Sequence, residues 1–506
     1  MRIDDGRGVE ERADCDLFSV ALGGRFAREG FVFYFSEKTF GYVAVPSDDR
    51  DLVRDLDALF GIEDGTTSAP GAGKQRVCEP RALFQDEVID LLVDKGLLSR
   101  PGAPAEPAGG AAPCGGCSQG AQIGLALLLN QYCNLSCVYC LDGRNTYESE
   151  NFPRMPESTI EVSLDKFIRR LPADGTLNVN LLGGEPTLTW SACQAALRIG
   201  RDIASRLDRR ISFSVQSNLT HLPDDFIADC KKYGIRVIAN VDGAPDVHNK
   251  TRPMKGLNNN SYERTLANLR ELRRHGIPFD LRATLTSANA GDLVALARLH
   301  QELGAVDSMF GLLRPTNSDR EIFPSSLYPG YEVLWNSFAD LYARSFNAGN
   351  ALKSLVASRM KTAQSGFAFC GAVDGSIATV DFKGNLYTCP WFVGNPSLCI
   401  GNVFREPMYD AGKVLDVGRK QVVSEESACR GCGYRRACGG GCSVTRVLAG
   451  QTTAGADGTL AERARLFQCA QVKPAVQQLI FEDFERAVGG RVRTRHTHES
   501  VAGSPR

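Results

Sequence analysis

Three cysteines constrain this chain more than anything else in it. Cys133, Cys137 and Cys140 are spaced C-x3-C-x2-C in NQYCNLSCVYC, directly after the apolar run 123–129. Three thiolates on one loop can bind three irons of a cubane cluster and leave the fourth iron open to a small ligand bearing an amine and a carboxylate. A structural zinc ion asks for a fourth ligand, and none is close by in sequence. Buried or chance cysteines explain neither the spacing nor the placement after a strand.

The chain carries 17 cysteines in all. The N-terminal MRIDDGRGVEERADCD is polar and acidic with no apolar core of a secretion signal, so the expected compartment is the reducing cytoplasm, where metal thiolates are favoured over disulfides. A net charge of −1 leaves no electrostatic footprint for nucleic acid or anionic membrane. The longest apolar run, 123–129, is far short of the roughly 18 to 20 residues that span a bilayer, and no membrane partner is expected.

The 506 residues divide by pattern. Residues 1–100 form a small α/β unit, with strands expected at 31–35 and 41–45 and helices at 51–60 and 82–98. A Pro/Gly/Ala-rich stretch over 101–120 reads as a flexible linker and holds the CxxC of Cys114 and Cys117. Over 121–314, six apolar runs at 123–129, 177–182, 211–216, 235–241, 279–285 and 308–313 alternate with helical stretches, which predicts β/α units on a parallel sheet, closed or partly closed. In that arrangement the chemistry belongs on the loops after the strands. A helical connection over 315–365 leads to a Cys- and Gly-rich region at 366–472 that needs bound metal to hold it. Residues 473–506 read as a helix with a polar, frayed tail from 491.

The three-Cys motif, with Tyr139 before its last cysteine, resembles the radical S-adenosylmethionine (SAM) superfamily over roughly 121–314. The resemblance implies a partial (β/α)6 barrel. Cys133, Cys137 and Cys140 would hold a [4Fe–4S] cluster whose open iron takes SAM, and Tyr139 would lie against the adenine. The second run ends in LLGGEP, which is similar to the family's GGEP segment, so Gly183, Gly184, Glu185 and Pro186 would receive the SAM methionine amine. Two glycines let a backbone approach a ligand closely. Ser217 and Asn218 stand where relatives read QTNG and are candidate SAM contacts, with a turn-shaping role as the alternative. Asn240, in ANVDG, takes the place of a usual serine. Asp242, His248 and Arg252 match positions common in the peptide-modifying branch, as structural or functional residues.

The order Cys370, Gly384, Cys389, then C-x2-C-x5-C-x3-C at Cys429, Cys432, Cys438 and Cys442, then Cys469, resembles the SPASM domain, with a zinc ribbon as the alternative. By that resemblance Cys429, Cys432, Cys438 and Cys469 bind one auxiliary [4Fe–4S] cluster. Cys370, Cys389 and Cys442 bind another, whose fourth ligand is Cys399 or an open position. Cys193 and Cys230 sit in helical stretches and read as core.

Relatives with this C-terminal domain act on peptides or proteins, as sulfatase maturases or as enzymes that crosslink ribosomally made peptides. The sulfatase-maturase pattern places an acidic residue after the second SPASM cysteine, whereas Pro390 follows Cys389 here. A proline cannot take a proton, which argues against formylglycine formation. The N-terminal unit looks like the winged-helix domain that binds a leader peptide in many maturases, or is an unrelated appendage. Flavodoxin or ferredoxin would supply the electron. A small-molecule substrate such as a sugar, or a non-catalytic iron–sulfur or zinc protein, are the alternatives.

Overall fold

The computed structural model describes residues 17–20, 22–37, 39–60, 62, 76–78, 86–100, 122–140, 153–256, 259–313, 325–344, 353–354, 356–357, 359–360, 371–421, 429, 432–442, 444, 447 and 459–496. The 101–120 linker with Cys114 and Cys117, and also Cys370, lie outside them.

The N-terminal unit contains β1 (Leu17–Val20), β2 (Leu22–Arg28), β3 (Phe31–Ser36), β4 (Tyr42–Pro46), α1 (Arg50–Leu59), β5 (Arg76–Cys78), α2 (Asp86–Asp94) and β6 (Leu98–Ser99). The expected strands at 31–35 and 41–45 and the helix at 51–60 are present, and the second helix ends at 94, short of the expected 98. The strands form two antiparallel sheets, in orders β5-β1-β6 and β2-β3-β4. Asp49 caps α1 through its side chain, which accepts from Leu52 N, a placement that satisfies an otherwise orphaned amide.

The central region forms as its alternating pattern predicts. β7 (Gln122–Leu128), β8 (Thr176–Leu182), β9 (Arg210–Ser217), β10 (Arg236–Asn240), β11 (Phe279–Leu285) and β12 (Ser308–Leu312) lie side by side in sequential order. All five contacts between them are parallel. Helices α3 (Glu157–Arg169), α4 (Trp190–Arg206), α5 (Phe226–Tyr233), α6 (Pro245–Thr251), α7 (Ser261–Arg274) and α8 (Leu293–Leu303) occupy the connections. Val179, Leu181, Phe213, Val215 and Val237 pack with Leu164, Phe167, Leu197 and Leu269 of the helices in one core. The intervening residues Asn178, Asn180, Ser214 and Gln216 are half-buried on the other face, because successive strand residues point to opposite sides.

After α9 (Tyr331–Ala343) and α10 (Gly371–Asp374) the chain returns to this sheet rather than building a detached lobe. β13 (Ile377–Val380) runs parallel to β7, with Ala378 opposite Leu125, and β14 (Asn385–Tyr387) and β15 (Gly401–Asn402) extend the edge antiparallel. Gly124 leaves room for this junction, since a Cβ there would lie 3.0 Å from Ile377 Cγ1. Next come α11 (Ala411–Gln421), α12 (Arg435–Cys438) and the long α13 (Thr459–His496). The helix thus begins well before 473 and runs to His496, into the stretch expected to be frayed.

α13 also holds the N-terminal unit in place. Phe33 is fully buried and meets Phe484 edge-on at 5.2 Å and Phe481 at 6.0 Å. Arg28 donates to Gln478 at 2.6 Å and stacks over the Phe481 ring at 4.1 Å. Phe35 meets Tyr434 edge-on at 5.1 Å. The sheet β2-β3-β4 is therefore docked on the C-terminal elements by a shared aromatic core. No helix among the described residues is long and apolar enough to cross a membrane.

Candidate active site

The loops after β7 and β8 meet at one end of a cavity of about 460 Å³. Its wall includes Cys133, Cys137, Tyr139 and Cys140 from the first loop, and Gly183, Gly184 and Glu185 from the second. The two glycines serve the junction of these loops. A Cβ on Gly184 would lie 2.3 Å from Tyr132 O and 3.0 Å from Cys133 N, and one on Gly183 would lie 2.9 Å from Asn130 Oδ1. The backbone approach expected for a ligand is therefore made first by the cysteine loop itself. Asn130 completes the joint, its side-chain Nδ2 donating to Glu185 O at 2.9 Å and its Oδ1 accepting from Gly184 N at 3.1 Å.

Glu185 is buried, and its carboxylate is ringed by donors. Oε1 accepts from Thr187 N at 3.1 Å, Thr187 Oγ1 at 2.7 Å and Ser217 Oγ at 2.7 Å, and Oε2 accepts from Asn218 N at 2.6 Å. Burial pushes its carboxyl above the usual range, and these donors pull it part of the way back. The residue thus ties the end of β8 to the end of β9. Ser217 and Pro186 stand behind the cavity wall, whereas Asn218 and Asn240 are on it. Asn218 Nδ2 donates to Asn134 Oδ1 at 3.0 Å and lies 3.6 Å from Cys133 Sγ, and Asn240 Nδ2 donates to Ser217 O at 2.9 Å.

Asp242, Arg252, Tyr139 and His248 form one buried network beneath the cysteine loop. Arg252 pairs with Asp242 at 3.0 Å, lies 5.4 Å over the Tyr139 ring and reaches to 3.9 Å from Cys137 Sγ. The Tyr139 hydroxyl donates to Asp242. Burial alone would raise the Asp242 carboxyl, but the Arg252 guanidinium, Tyr139 and His248 hold it below its ordinary value. Burial, then the nearby Arg252 charge, lowers His248 to about 4.

Burial, followed by the neighbouring Cys137, Glu185 and Cys140, raises the Cys133 thiol. Burial also raises Cys137, with Arg252 opposing. Such thiols fit a cationic iron centre, which removes the repulsion between thiolates. Among the described residues no three His, Cys, Asp or Glu side chains converge as ligands of one ion would.

Four of the C-terminal cysteines lie near one another. Cys438 is pushed up to about 12 by burial and by the adjacent Cys469, Cys432 and Cys429, so these four are neighbours. Cys442 is buried in the main core, and Cys389 and Cys399 lie half-buried against that core. Cys399 Sγ approaches Gly401 O at 3.3 Å. Cys193 and Cys230 are core residues of α4 and α5.

Sequence reasoning did not single out four other residues on the wall, Asn180, Gln216, Arg282 and Thr284, nor did it bring Cys389, Pro390 and Trp391 to it. The strand alternation signalled the first four. The last three are there because β13 joins β7, which no local pattern announces.

Residues 127–300 match the family model of the Radical SAM superfamily. A cysteine-type anaerobic sulfatase-maturating enzyme of Clostridium novyi (strain NT) is 23% identical over 330 residues, covering 61% of this chain and 84% of the relative. An AdoMet-dependent heme synthase of Methanosarcina barkeri (strain Fusaro / DSM 804) is 27% identical over 334 residues, covering 62% and 90%. Among solved structures, native anSMEcpe with bound AdoMet and Cp18Cys peptide superposes with a TM-score of 0.57 at 16% identity, over 71% of this chain and 99% of that one, which shows a shared fold. With the cysteine loop and the glycine turn facing one cavity at the ends of sequential parallel strands, residues 127–300 form a domain of the Radical SAM superfamily.

Proposed function

We propose that this enzyme reductively cleaves SAM and uses the resulting radical to modify a peptide or protein, installing a crosslink or another oxidation. The observation that carries the reading is the meeting of Cys133, Cys137 and Cys140 with the Gly183–Glu185 turn at one end of a single cavity. When bound, an open-iron cluster with SAM supplies a 5′-deoxyadenosyl radical that abstracts hydrogen. The chain's own residues hold and screen that chemistry. The three thiols bind the cluster, Arg252 sets positive charge beside Cys137, and Gly183, Gly184, Asn218 and Asn240 line the SAM pocket, with Tyr139 against its adenine. Glu185 and Ser217 set that pocket's shape, Pro186 starting the turn behind them.

Cys429, Cys432, Cys438 and Cys469 are proposed to hold one auxiliary [4Fe–4S] cluster, and Cys370, Cys389 and Cys442 another, completed by Cys399 or left open. Cys389 is on the cavity wall, so this residue would hold the second of these beside the substrate space. The peptide reading is supported by the similarity to the sulfatase-maturating enzyme. Pro390 and Trp391, which carry no carboxylate, stand on the wall after Cys389, so we do not assign formylglycine formation. The N-terminal unit is proposed to be a winged-helix-like recognition domain, binding a leader along an edge of β2-β3-β4 by strand addition. Flavodoxin or ferredoxin is the proposed electron donor in a cytoplasmic setting. The second reading, a small-molecule substrate, is favoured by the heme synthase similarity.

Anaerobically reconstituted protein should contain about three [4Fe–4S] clusters, as the ligand sets require, and should form 5′-deoxyadenosine from SAM with dithionite. Replacement of Cys133, Cys137 and Cys140 together by Ala should abolish this and leave the auxiliary iron bound. Undiminished 5′-deoxyadenosine from the triple variant would overturn the assignment of the catalytic cluster.

A further inference from the structure

Three neighbouring strands, β8, β9 and β10, each place a carboxamide on the cavity wall: Asn180, Gln216 and Asn240. A parallel sheet covered on both faces is ordinarily apolar throughout. Polar side chains gathered on such a wall have to be satisfied by one another or by what the cavity receives.

Gln216 is satisfied at one end only. Its Oε1 accepts from Arg282 Nη1 at 3.3 Å. A guanidinium carries donors and no acceptor, so it fixes which end of the amide faces it and leaves the NH2 end turned elsewhere. Among the described residues Gln216 Nε2 meets no acceptor. Arg282 is a firm anchor for this orientation. It has a further interaction of its own, and it fills the space that Gly311 of β12 leaves, where a Cβ would come 2.9 Å from Nη2 and 3.2 Å from Nε. The other two carboxamides differ in how far they are engaged. Asn240 Nδ2 donates to Ser217 O at 2.9 Å, whereas Asn180 meets Ser214 through Oδ1 alone, at 3.3 Å. The wall's carboxylate, Glu185, is enclosed by its own ring of donors and does not compete for the Gln216 N–H groups. An uncharged N–H donor is matched by an uncharged carbonyl oxygen, and the carbonyl that every residue of a peptide carries is that of its main chain.

We propose that Gln216, oriented by Arg282, is a specificity-determining residue whose Nε2 donates to a main-chain carbonyl oxygen of the substrate. This rests on the reading that a peptide occupies the cavity beside the radical. SAM also carries acceptor oxygens, so the test separates the two sources.

Calorimetric titration of the reconstituted, SAM-loaded enzyme compares N-acetyl-alanine N-methylamide with its analogue in which both carbonyl oxygens are replaced by sulfur. Sulfur accepts hydrogen bonds more weakly, and the N–H groups are retained. The oxygen probe should bind about fivefold tighter, as expected of one neutral hydrogen bond. Gln216→Glu keeps the acceptor for Arg282 and removes the donor, so it should bring the ratio of affinities close to one. Gln216→Met, which removes the donor without adding charge, should do the same if Gln216→Glu fails to fold. A ratio that persists in the variants overturns the proposal, because it reports the size of sulfur; if SAM affinity falls in those variants, the amide belongs to the cofactor. Equal binding of both probes by the unaltered enzyme also overturns the proposal and leaves the peptide reading standing, whereas no saturable binding of either probe overturns both. Binding requires no turnover, so a failure of the radical reading would show separately as absent 5′-deoxyadenosine.

Discussion

Arg252 and Asp242 form an ion pair sealed beneath the cysteine loop, Nε to Oδ2 3.0 Å, with side chains 7% and 0% exposed. Thr251 Oγ1 and Thr284 N also donate to the carboxylate, each at 3.1 Å. Removing one partner of a buried pair strands the other charge and costs about 3–5 kcal/mol. Arg252→Met should therefore lower stability by about that amount in denaturant unfolding. Arg252→Met with Asp242→Asn should recover much of the loss, the coupling being read from the double-mutant cycle. Strict additivity of the two substitutions would show that the pair contributes nothing beyond its separate packing.

Gly184→Ala should disconnect the glycine turn from the cysteine loop. Its Cβ would stand 2.3 Å from Tyr132 O and 2.5 Å from Tyr132 C, a clash with backbone that no rotamer relieves. Overpacking of this kind costs about 1–3 kcal/mol. Iron analysis after reconstitution should show a deficit at the Cys133 loop, with SAM cleavage lost and the circular dichroism spectrum retained. Full iron and full cleavage would show that the loops need not touch.

The docking of β3 on α13 predicts that the N-terminal unit is needed for the integrity of the C-terminal cysteine region. Phe33→Ala removes a fully buried ring that stacks on Phe26 at 4.8 Å and meets both Phe481 and Phe484. The expected loss is about 3–5 kcal/mol. Because α13 also carries Cys469 and packs against α12 with Cys438, reconstituted iron should fall as well. Unchanged iron in a destabilised variant would show that the two regions unfold independently.

Two buried histidines predict acid sensitivity. His248 and His300 are both lowered to about 4 from an ordinary 6.5, chiefly by burial. His300 is held between Val241 O at 2.8 Å and Ser308 Oγ at 3.1 Å. Between those pH values the unfolded chain takes up protons that the folded chain does not, so stability is complete above 6.5 and declines as pH falls toward 4. At 1.36 kcal/mol per unit the loss is up to about 3 kcal/mol for each residue. Melting temperatures measured from pH 7 to pH 4.5 should drop, and His248→Gln should flatten the decline. A pH-independent melting temperature across this range would refute it.

The sequence by itself determined the local chemistry and the order of the central elements. Cys133, Cys137 and Cys140 after β7, the glycine turn after β8 and the six alternating strands were all legible, because spacing within a loop and period along a strand are short-range properties. Contacts between distant segments were not. That Gly183 and Gly184 accommodate Tyr132 and Asn130, that Glu185 is consumed by Thr187, Ser217 and Asn218, and that Arg252 reaches Cys137 depend on how strand ends converge. The pairing of β13 with β7, which brings Cys389, Pro390 and Trp391 to the cavity, joins segments about 250 residues apart. The seating of β3 on α13 joins the two ends of the chain. Neither leaves a periodic trace, since an edge strand and an aromatic face look the same in sequence whichever partner covers them, and only burial in the assembled fold selects that partner.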